Sequence, residues 1–102
     1  MNLVRMSKKY NKMDRAYIRM YKFESYSEQK GKCFYCKCPM NRHLSTADHL
    51  IPISKGGLHN RKNIKASCRE CNETKSNLTD KEFIKLIRNP YKGCNIYLGS
   101  LF

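Results

Sequence analysis

The chain carries two Cys-x-x-Cys pairs, and they constrain its fold more than any other feature. Cys33 and Cys36 form the first pair, and Cys68 and Cys71 form the second. Four thiolates at this spacing are typical of a closed tetrahedral zinc site, which leaves no open position for catalysis. The hydrophobic core of a 102-residue chain is small, so a structural metal would add stability that burial alone does not supply. We therefore expect a zinc clamp that holds one small domain together.

The six cysteines have a second interpretation, a disulfide framework in a secreted protein. However, residues 1–30 are rich in Lys and Arg and lack the apolar core of a signal peptide. No segment is long and apolar enough to cross a membrane. Cys38 and Cys94 lie outside the pairs, and although Cys38 is an alternative ligand to Cys36, the spacing favours Cys36. We therefore predict reduced thiols in a cytoplasmic protein that has no membrane partner.

The charge of the chain points to a polyanionic partner. Lys and Arg number 21 against 8 Asp and Glu, which gives a formal net charge of +13. Such an excess opposes compaction and favours binding to nucleic acid. On charge alone, a basic ribosomal-type protein or a merely soluble basic protein is the alternative.

The N-terminal segment, residues 6–24, has the periodicity of an amphipathic helix. Its basic side chains recur at steps of three and four and would share about one quarter of the helix circumference. This basic ridge consists of Lys8, Lys12, Arg15, Arg19 and Lys22. The opposite side carries Met6, Tyr10, Met13, Tyr17, Met20 and Tyr21. We expect the basic ridge to contact phosphate groups, with a solvated helix face or a membrane-surface helix as the alternatives.

The remaining pattern predicts a small α+β domain. Residues 45–50 and 63–67 are strand-like, and a polar loop with a Gly56-Gly57 pair separates them. The helix of residues 6–24 should continue to about Gly31, and another should run over residues 68–76.

A further helix should follow near the C-terminal end. Thr79 and Glu82 form a capping-box pattern that opens it, and Asn89-Pro90 ends it. Its inward side chains should be Phe83, Leu86 and Ile87. We divide the single domain, 1–102, into a basic helical extension (1–30), a zinc-clamped core (33–77) and a C-terminal helix and tail (79–102).

Four polar residues lie inside and just after the clamp: Asp48, His49, Asn63 and Asn72. Carboxylate and amide oxygens suit a hard cation, and a neutral imidazole can take a proton from water. Asp48 and His49 are neighbours on a predicted strand and should face opposite sides, so local distortion would be needed for them to meet. Asn72 follows Cys71 directly, so a zinc clamp would also position Asn72.

The cysteines and the polar residues combine into one extended pattern across residues 33–77. The positions that define it are Asp48-His49-Leu50-Ile51-Pro52, Gly56-Gly57, Asn63 and Cys68-x-x-Cys71-Asn72-x-x-Lys75. This pattern resembles the HNH endonucleases in their four-cysteine, zinc-containing form, and the compact chain resembles their small stand-alone phage members.

The resemblance implies a ββα-metal (His-Me finger) core, in which a hairpin, an Ω-like loop and a helix surround one divalent ion. It implies that His49 is the general base and that Asp48 and Asn72 bind Mg²⁺ or Mn²⁺. Asn63 would be the structural asparagine that holds the loop and so presents His49. Lys75 lies one helical turn after Asn72, and we expect it to face the DNA backbone, with a solvated lysine as the alternative. For His59, in the loop, we expect a solvent-exposed histidine, with a contact to phosphate or a supporting role in the site as the alternatives.

The resemblance also implies an activity, hydrolysis of phosphodiester bonds in double-stranded DNA to leave 5′-phosphate and 3′-hydroxyl ends. A monomer would nick one strand, and double-strand cleavage would need a homodimer or two successive events. The alternatives are a non-catalytic zinc module that binds nucleic acid and a phage packaging accessory that acts with a larger partner. A pure binding module has no need of the four polar residues, which therefore favour the nuclease.

Overall fold

The computed structural model describes residues 11–87. The α+β class is confirmed: a two-stranded antiparallel sheet is packed with helices. The elements are α1 (Lys12–Glu28), β1 (Thr46–His49), β2 (Ile64–Ser67), α2 (Arg69–Lys75) and α3 (Asp80–Ile87). The predictions for Met6, Lys8, Tyr10, Asn89-Pro90, Cys94 and the tail lie outside the described residues. Within residues 11–87 there is no helix with the length and apolarity needed to cross a bilayer.

Helix α1 begins at a capping box and ends in left-handed backbone. The Asp14 amide donates to the Asn11 side chain at 2.8 Å, and the Asn11 amide faces the Asp14 carboxylate at 3.4 Å. Lys30 and Gly31 have φ of 58° and 76°, so the chain leaves the helix there. The expected helix stop near Gly31 agrees with this geometry.

Helix α1 packs on the sheet through polar side chains. The Ser25 hydroxyl donates to the carbonyl of Ile64 at 2.8 Å. The Gln29 amide group pairs with both main-chain groups of Ala66, at 2.9 Å and 3.1 Å. The side of α1 that carries Met13, Tyr17 and Met20 faces outward, since these side chains are 66%, 47% and 43% exposed.

The hydrophobic core lies where the cysteines meet helix α3. Cys33, Tyr35, Cys36, Cys71 and Phe83 form one buried cluster. The predicted capping box at the start of α3 is present, because Thr79 and Glu82 exchange hydrogen bonds at 2.9 Å and 3.2 Å. Phe83 is fully buried and Ile87 packs against the cluster as expected. The inward placement of Leu86 was wrong: it is 68% exposed, because the core meets only one narrow side of this short helix.

Candidate functional site

The two Cys-x-x-Cys segments meet at one point. We call residues 33–36 the first knuckle and residues 68–71 the second knuckle. The four sulfur atoms lie within 4.8 Å of one another, and the Sγ atoms of Cys36 and Cys68 are 3.9 Å apart. Zinc–sulfur bonds of about 2.3 Å in a tetrahedron require a sulfur separation of about 3.8 Å. The donor set and its spacing therefore fit a structural zinc ion.

Main-chain amides already point at these sulfur atoms. The amides of Tyr35 and Cys68 donate to the Cys33 sulfur at 3.4 Å and 3.3 Å, and the Cys71 amide donates to Cys68 at 3.4 Å. A hydrogen bond from Cys36, followed by those from the other thiols, lowers the pKa of Cys33. The same contacts raise the pKa of Cys68, so within the metal-free cluster the negative charge is favoured on Cys33. Zinc binds thiolates, and the amides directed at the Cys33 sulfur suit that form. Of the cysteines in residues 11–87, none forms a disulfide, and Cys38 lies outside the metal-binding group.

Asp48 lies in a buried network behind the sheet. Asp48 is only 3% exposed, and its Oδ2 accepts a hydrogen bond from the Tyr35 hydroxyl at 2.5 Å. On Oδ1 it faces the Lys75 ammonium at 3.4 Å and the Asn72 amide nitrogen at 3.4 Å. Burial raises the pKa of Asp48, while the Tyr35 hydrogen bond and the Lys75 charge act in the opposite direction. The Lys75 ammonium partly offsets the carboxylate charge inside the domain.

Asp48 and Asn72 converge from two different elements, strand β1 and helix α2. A 180° rotation of the Asn72 side-chain amide about the Cβ–Cγ bond would direct its oxygen, instead of its nitrogen, toward Asp48. A carboxylate oxygen and an amide oxygen suit Mg²⁺ or Mn²⁺, which keep several water ligands. The two side chains therefore fit a hard divalent cation, with Lys75 as a positive neighbour.

His49 lies on the other side of the same strand. Its Nε2 is 3.0 Å from Nδ1 of His59, and the two rings meet edge to face. Burial, then the neighbouring His59 and Lys75, lowers the pKa of His49 to about 4. The imidazole is therefore neutral at neutral pH, the form that can accept a proton.

Strand β1 lacks the distortion that would be needed for the Asp48 and His49 side chains to meet. The strand pairs in regular register with β2, with Asp48 opposite Lys65 and His49 opposite Ile64. The Asp48 side chain contacts the first knuckle and α2, whereas the His49 side chain contacts the loop. Lys75 connects the two positions, because its ammonium also donates to the His49 carbonyl at 2.9 Å.

Asn63 holds the loop between the strands. Its side-chain oxygen accepts from the Ile51 amide at 2.9 Å, and its nitrogen donates to the carbonyls of Ile51 and Leu58 at 3.0 Å and 2.9 Å. These bonds close the loop directly after His49. Gly57 packs closely against the backbone of this loop, since a Cβ atom at Gly57 would be 1.7 Å from the Ile51 carbonyl oxygen.

We predict that Gly57→Ala costs about 3 kcal/mol of unfolding free energy, because the added methyl group displaces the Ile51 backbone. Gly56→Ala is the matched control. Gly56 has φ of 92° but open space around it, so only the left-handed backbone is penalised, by about 1 kcal/mol. Urea unfolding of both variants measures the difference. An equal loss in the two variants would contradict the close packing of the loop.

The basic side chains named from the sequence divide into three groups. Lys12, Arg15 and Arg19 are exposed on α1. Lys22 faces the domain: its ammonium donates to the Ser45 carbonyl at 3.1 Å, and burial lowers its pKa. Lys75 is 2% exposed and bound inside the domain, so the expectation that it faces the DNA backbone does not agree with its position.

Two residues in the site did not stand out in the sequence. Tyr35 looked like a packing residue, yet its hydroxyl binds the Asp48 carboxylate. His59 was expected to be a solvent-exposed loop residue, yet it is half-buried against His49.

Comparison with known proteins agrees with this architecture. A family model for HNH endonucleases matches residues 33–87. The CRISPR-associated endonuclease Cas9 of Actinomyces naeslundii is 39% identical over 70 residues, which cover 68% of this chain and 6% of that protein. Cas9 of Corynebacterium diphtheriae is 32% identical over 59 residues, which cover 57% of this chain and 5% of that protein.

The fold is also similar to that of a solved structure. The crystal structure of the Type II-C Cas9 enzyme from Actinomyces naeslundii aligns with a TM-score of 0.64 and 25% identity. The alignment covers 80% of this chain and 8% of that one. The chain thus spans only a small part of the proteins it resembles. The match of the family model over more than half of its residues shows that this chain belongs to the HNH endonuclease family.

Proposed function

We propose that this chain is a metal-dependent endonuclease that hydrolyses phosphodiester bonds in double-stranded DNA. The observation that carries the proposal is the convergence of the Asp48 and Asn72 side chains beside the strand that presents a neutral His49. Strand β1 thus carries one ligand for a hard cation and a general base at adjacent positions. Membership of the HNH endonuclease family supports the proposal, and the two relatives are named as endonucleases.

In this proposal His49 takes a proton from the attacking water. When Nε2–H of His49 donates to Nδ1 of His59, the lone pair of His49 Nδ1 remains available for that proton. Asn63 keeps the loop closed beside this ring. A divalent ion on Asp48 and Asn72 would supply positive charge for the phosphoryl group and the leaving oxygen.

The charge of the surface supports DNA as the partner. The formal net charge is +13, and Lys12, Arg15 and Arg19 are exposed along α1. Contacts of this kind provide affinity for phosphate without sequence specificity. We propose one nuclease domain, with residues 1–30 as the DNA-binding extension. A monomer would nick, and a homodimer would cut both strands.

One observation favours a second candidate, a non-catalytic zinc module that binds nucleic acid. The Asp48 carboxylate is buried and already has Tyr35 and Lys75 as partners, as in a purely structural network. Such a module could act as an accessory to a phage packaging complex. It would bind DNA and leave both strands intact.

A plasmid assay distinguishes the two candidates. We predict that the zinc-loaded protein converts supercoiled plasmid to open-circular or linear DNA with Mg²⁺ or Mn²⁺, and not with EDTA. Because EDTA can also remove zinc, excess Mg²⁺ is added back after a brief treatment, and the zinc content is measured in the same sample. Restored cleavage with zinc retained supports the nuclease. Binding in a mobility-shift assay without any strand breakage contradicts the nuclease and supports the second candidate.

A further inference from the structure

Tyr35 connects the first knuckle to the proposed ion-binding carboxylate. It lies between Cys33 and Cys36, and its own amide donates to the Cys33 sulfur at 3.4 Å. Its hydroxyl donates to Oδ2 of Asp48 at 2.5 Å. One residue therefore binds a zinc-site sulfur with its main chain and Asp48 with its side chain.

The ring of Tyr35 has little freedom to move. The residue is 6% exposed, and its ring meets Phe83 and Phe34 edge to face, with 5.0 Å between centroids in both pairs. The phenol is a donor and the carboxylate an acceptor, so the hydroxyl proton lies on the Asp48 side of this contact. A fixed donor on one carboxylate oxygen leaves the other oxygen, Oδ1, directed toward Asn72 and the Lys75 ammonium.

From this geometry we propose that Tyr35 is a positioning residue, through which the first knuckle orients the Asp48 carboxylate for a divalent ion. The inference rests on the proposed function, because it concerns the same ion. Hydrogen bonds behind a metal ligand fix its orientation, and their loss typically weakens metal affinity by about 10- to 100-fold. The first knuckle then positions the ligand Asp48 through Tyr35, whereas Asn72 is itself a ligand and directly follows the second knuckle.

The chain offers a matched pair of variants. Tyr35→Phe removes the hydroxyl and keeps the ring against Phe83. Tyr26→Phe removes a comparable part-buried hydroxyl, which donates to the Met40 carbonyl at 2.8 Å and does not contact Asp48. In zinc-loaded protein without DNA, Mn²⁺ binding is followed by the electron paramagnetic resonance signal of free Mn²⁺.

We expect Tyr35→Phe to weaken Mn²⁺ binding by about tenfold and to raise the Mg²⁺ concentration for half-maximal nicking in parallel. Tyr26→Phe should bind Mn²⁺ like the wild type, and both variants should retain zinc. Unchanged Mn²⁺ affinity in Tyr35→Phe overturns the inference even when the wild type cleaves DNA. Absence of cleavage by the wild type would instead contradict the proposed function.

A second measurement needs no variant and applies even when Tyr35→Phe fails to fold. Wild-type protein labelled with ¹³C at tyrosine Cζ is titrated with Mg²⁺. The Tyr35 resonance should shift as the Asp48 carboxylate binds the ion, while the Tyr26 resonance stays in place. A Tyr35 resonance that does not move, in a titration that shifts the Asn72 side-chain amide, overturns the inference.

Discussion

Cys36→Ala is expected to abolish zinc binding and to unfold the domain. Three of the four clustered cysteines are buried, and together with Tyr35 and Phe83 they form most of the core. Structural zinc sites contribute about 10–16 kcal/mol of apparent binding free energy, comparable with or greater than the stability of a small domain, about 5–15 kcal/mol. Removing one ligand therefore costs more than the remaining contacts supply. Metal analysis should give about one zinc per wild-type chain and none in the variant.

Cys38→Ser is the control for this result. Cys38 follows the first knuckle but lies outside the metal-binding group. Its carbonyl accepts from the Cys33 amide at 2.8 Å, a main-chain bond that the substitution retains. The control should keep its zinc, its circular dichroism spectrum and most of its thermal stability. A Cys36→Ala variant that folds without zinc would disprove the structural clamp.

Much of the fold was predictable because its determinants are local in sequence. The Cys-x-x-Cys spacing indicated the clamp, and the strands and the second knuckle's helix lie within a residue or two of their predicted ends. The capping box of Thr79 and Glu82 was equally visible, since both partners lie within one helical turn. Patterns of this kind depend on neighbours along the chain and need no knowledge of tertiary packing.

The features of the fold that could not be predicted are the orientations of the helices, that is, which side chains of each helix face the core. Periodicity divides α1 into a basic and an apolar face, yet Met13 and Tyr17 are exposed just as Lys12 is. The helix packs on the sheet near its C-terminal end, at Ser25, a contact that periodicity does not indicate. Lysine is rarely buried, so a surface role for Lys75 was the reasonable expectation. The second knuckle orients α2 so that Lys75 points inward, where Asp48 and the His49 carbonyl provide partners.

The candidate site, like the fold, was predictable only where its determinants are local in sequence. Its residue types were visible in the sequence, but its supporting contacts are tertiary. Asp48 needs Tyr35 from the first knuckle, and His49 needs His59 from the loop. Both partners are separated from their targets by ten or more positions, and neither has a periodic signature. Both Cys-x-x-Cys segments therefore contribute to the candidate site as well as to the core. Tyr35 lies in the first knuckle, Asn72 directly follows the second, and both contact Asp48.

His49→Ala is expected to reduce DNA cleavage by about 10²- to 10⁴-fold, the usual effect of removing a general base. The fold should survive, because the His49 main-chain bonds to Lys75 and to β2 do not involve the imidazole. DNA affinity should be nearly unchanged, since the exposed basic residues of α1 are not altered. Single-turnover nicking of supercoiled plasmid at saturating protein measures the loss separately from binding.

His43→Ala is the matched control for this experiment. His43 is an exposed histidine whose ring contacts Phe23 and which lies outside the network of Asp48, Asn72 and His59. The His43→Ala variant should cleave at the wild-type rate. That result would show that removing a histidine outside the site does not reduce cleavage. Equal activity in His49→Ala and the wild type would indicate a different base or a contaminating nuclease. A variant that has lost DNA binding along with cleavage would instead mean that His49 contributes to the binding surface.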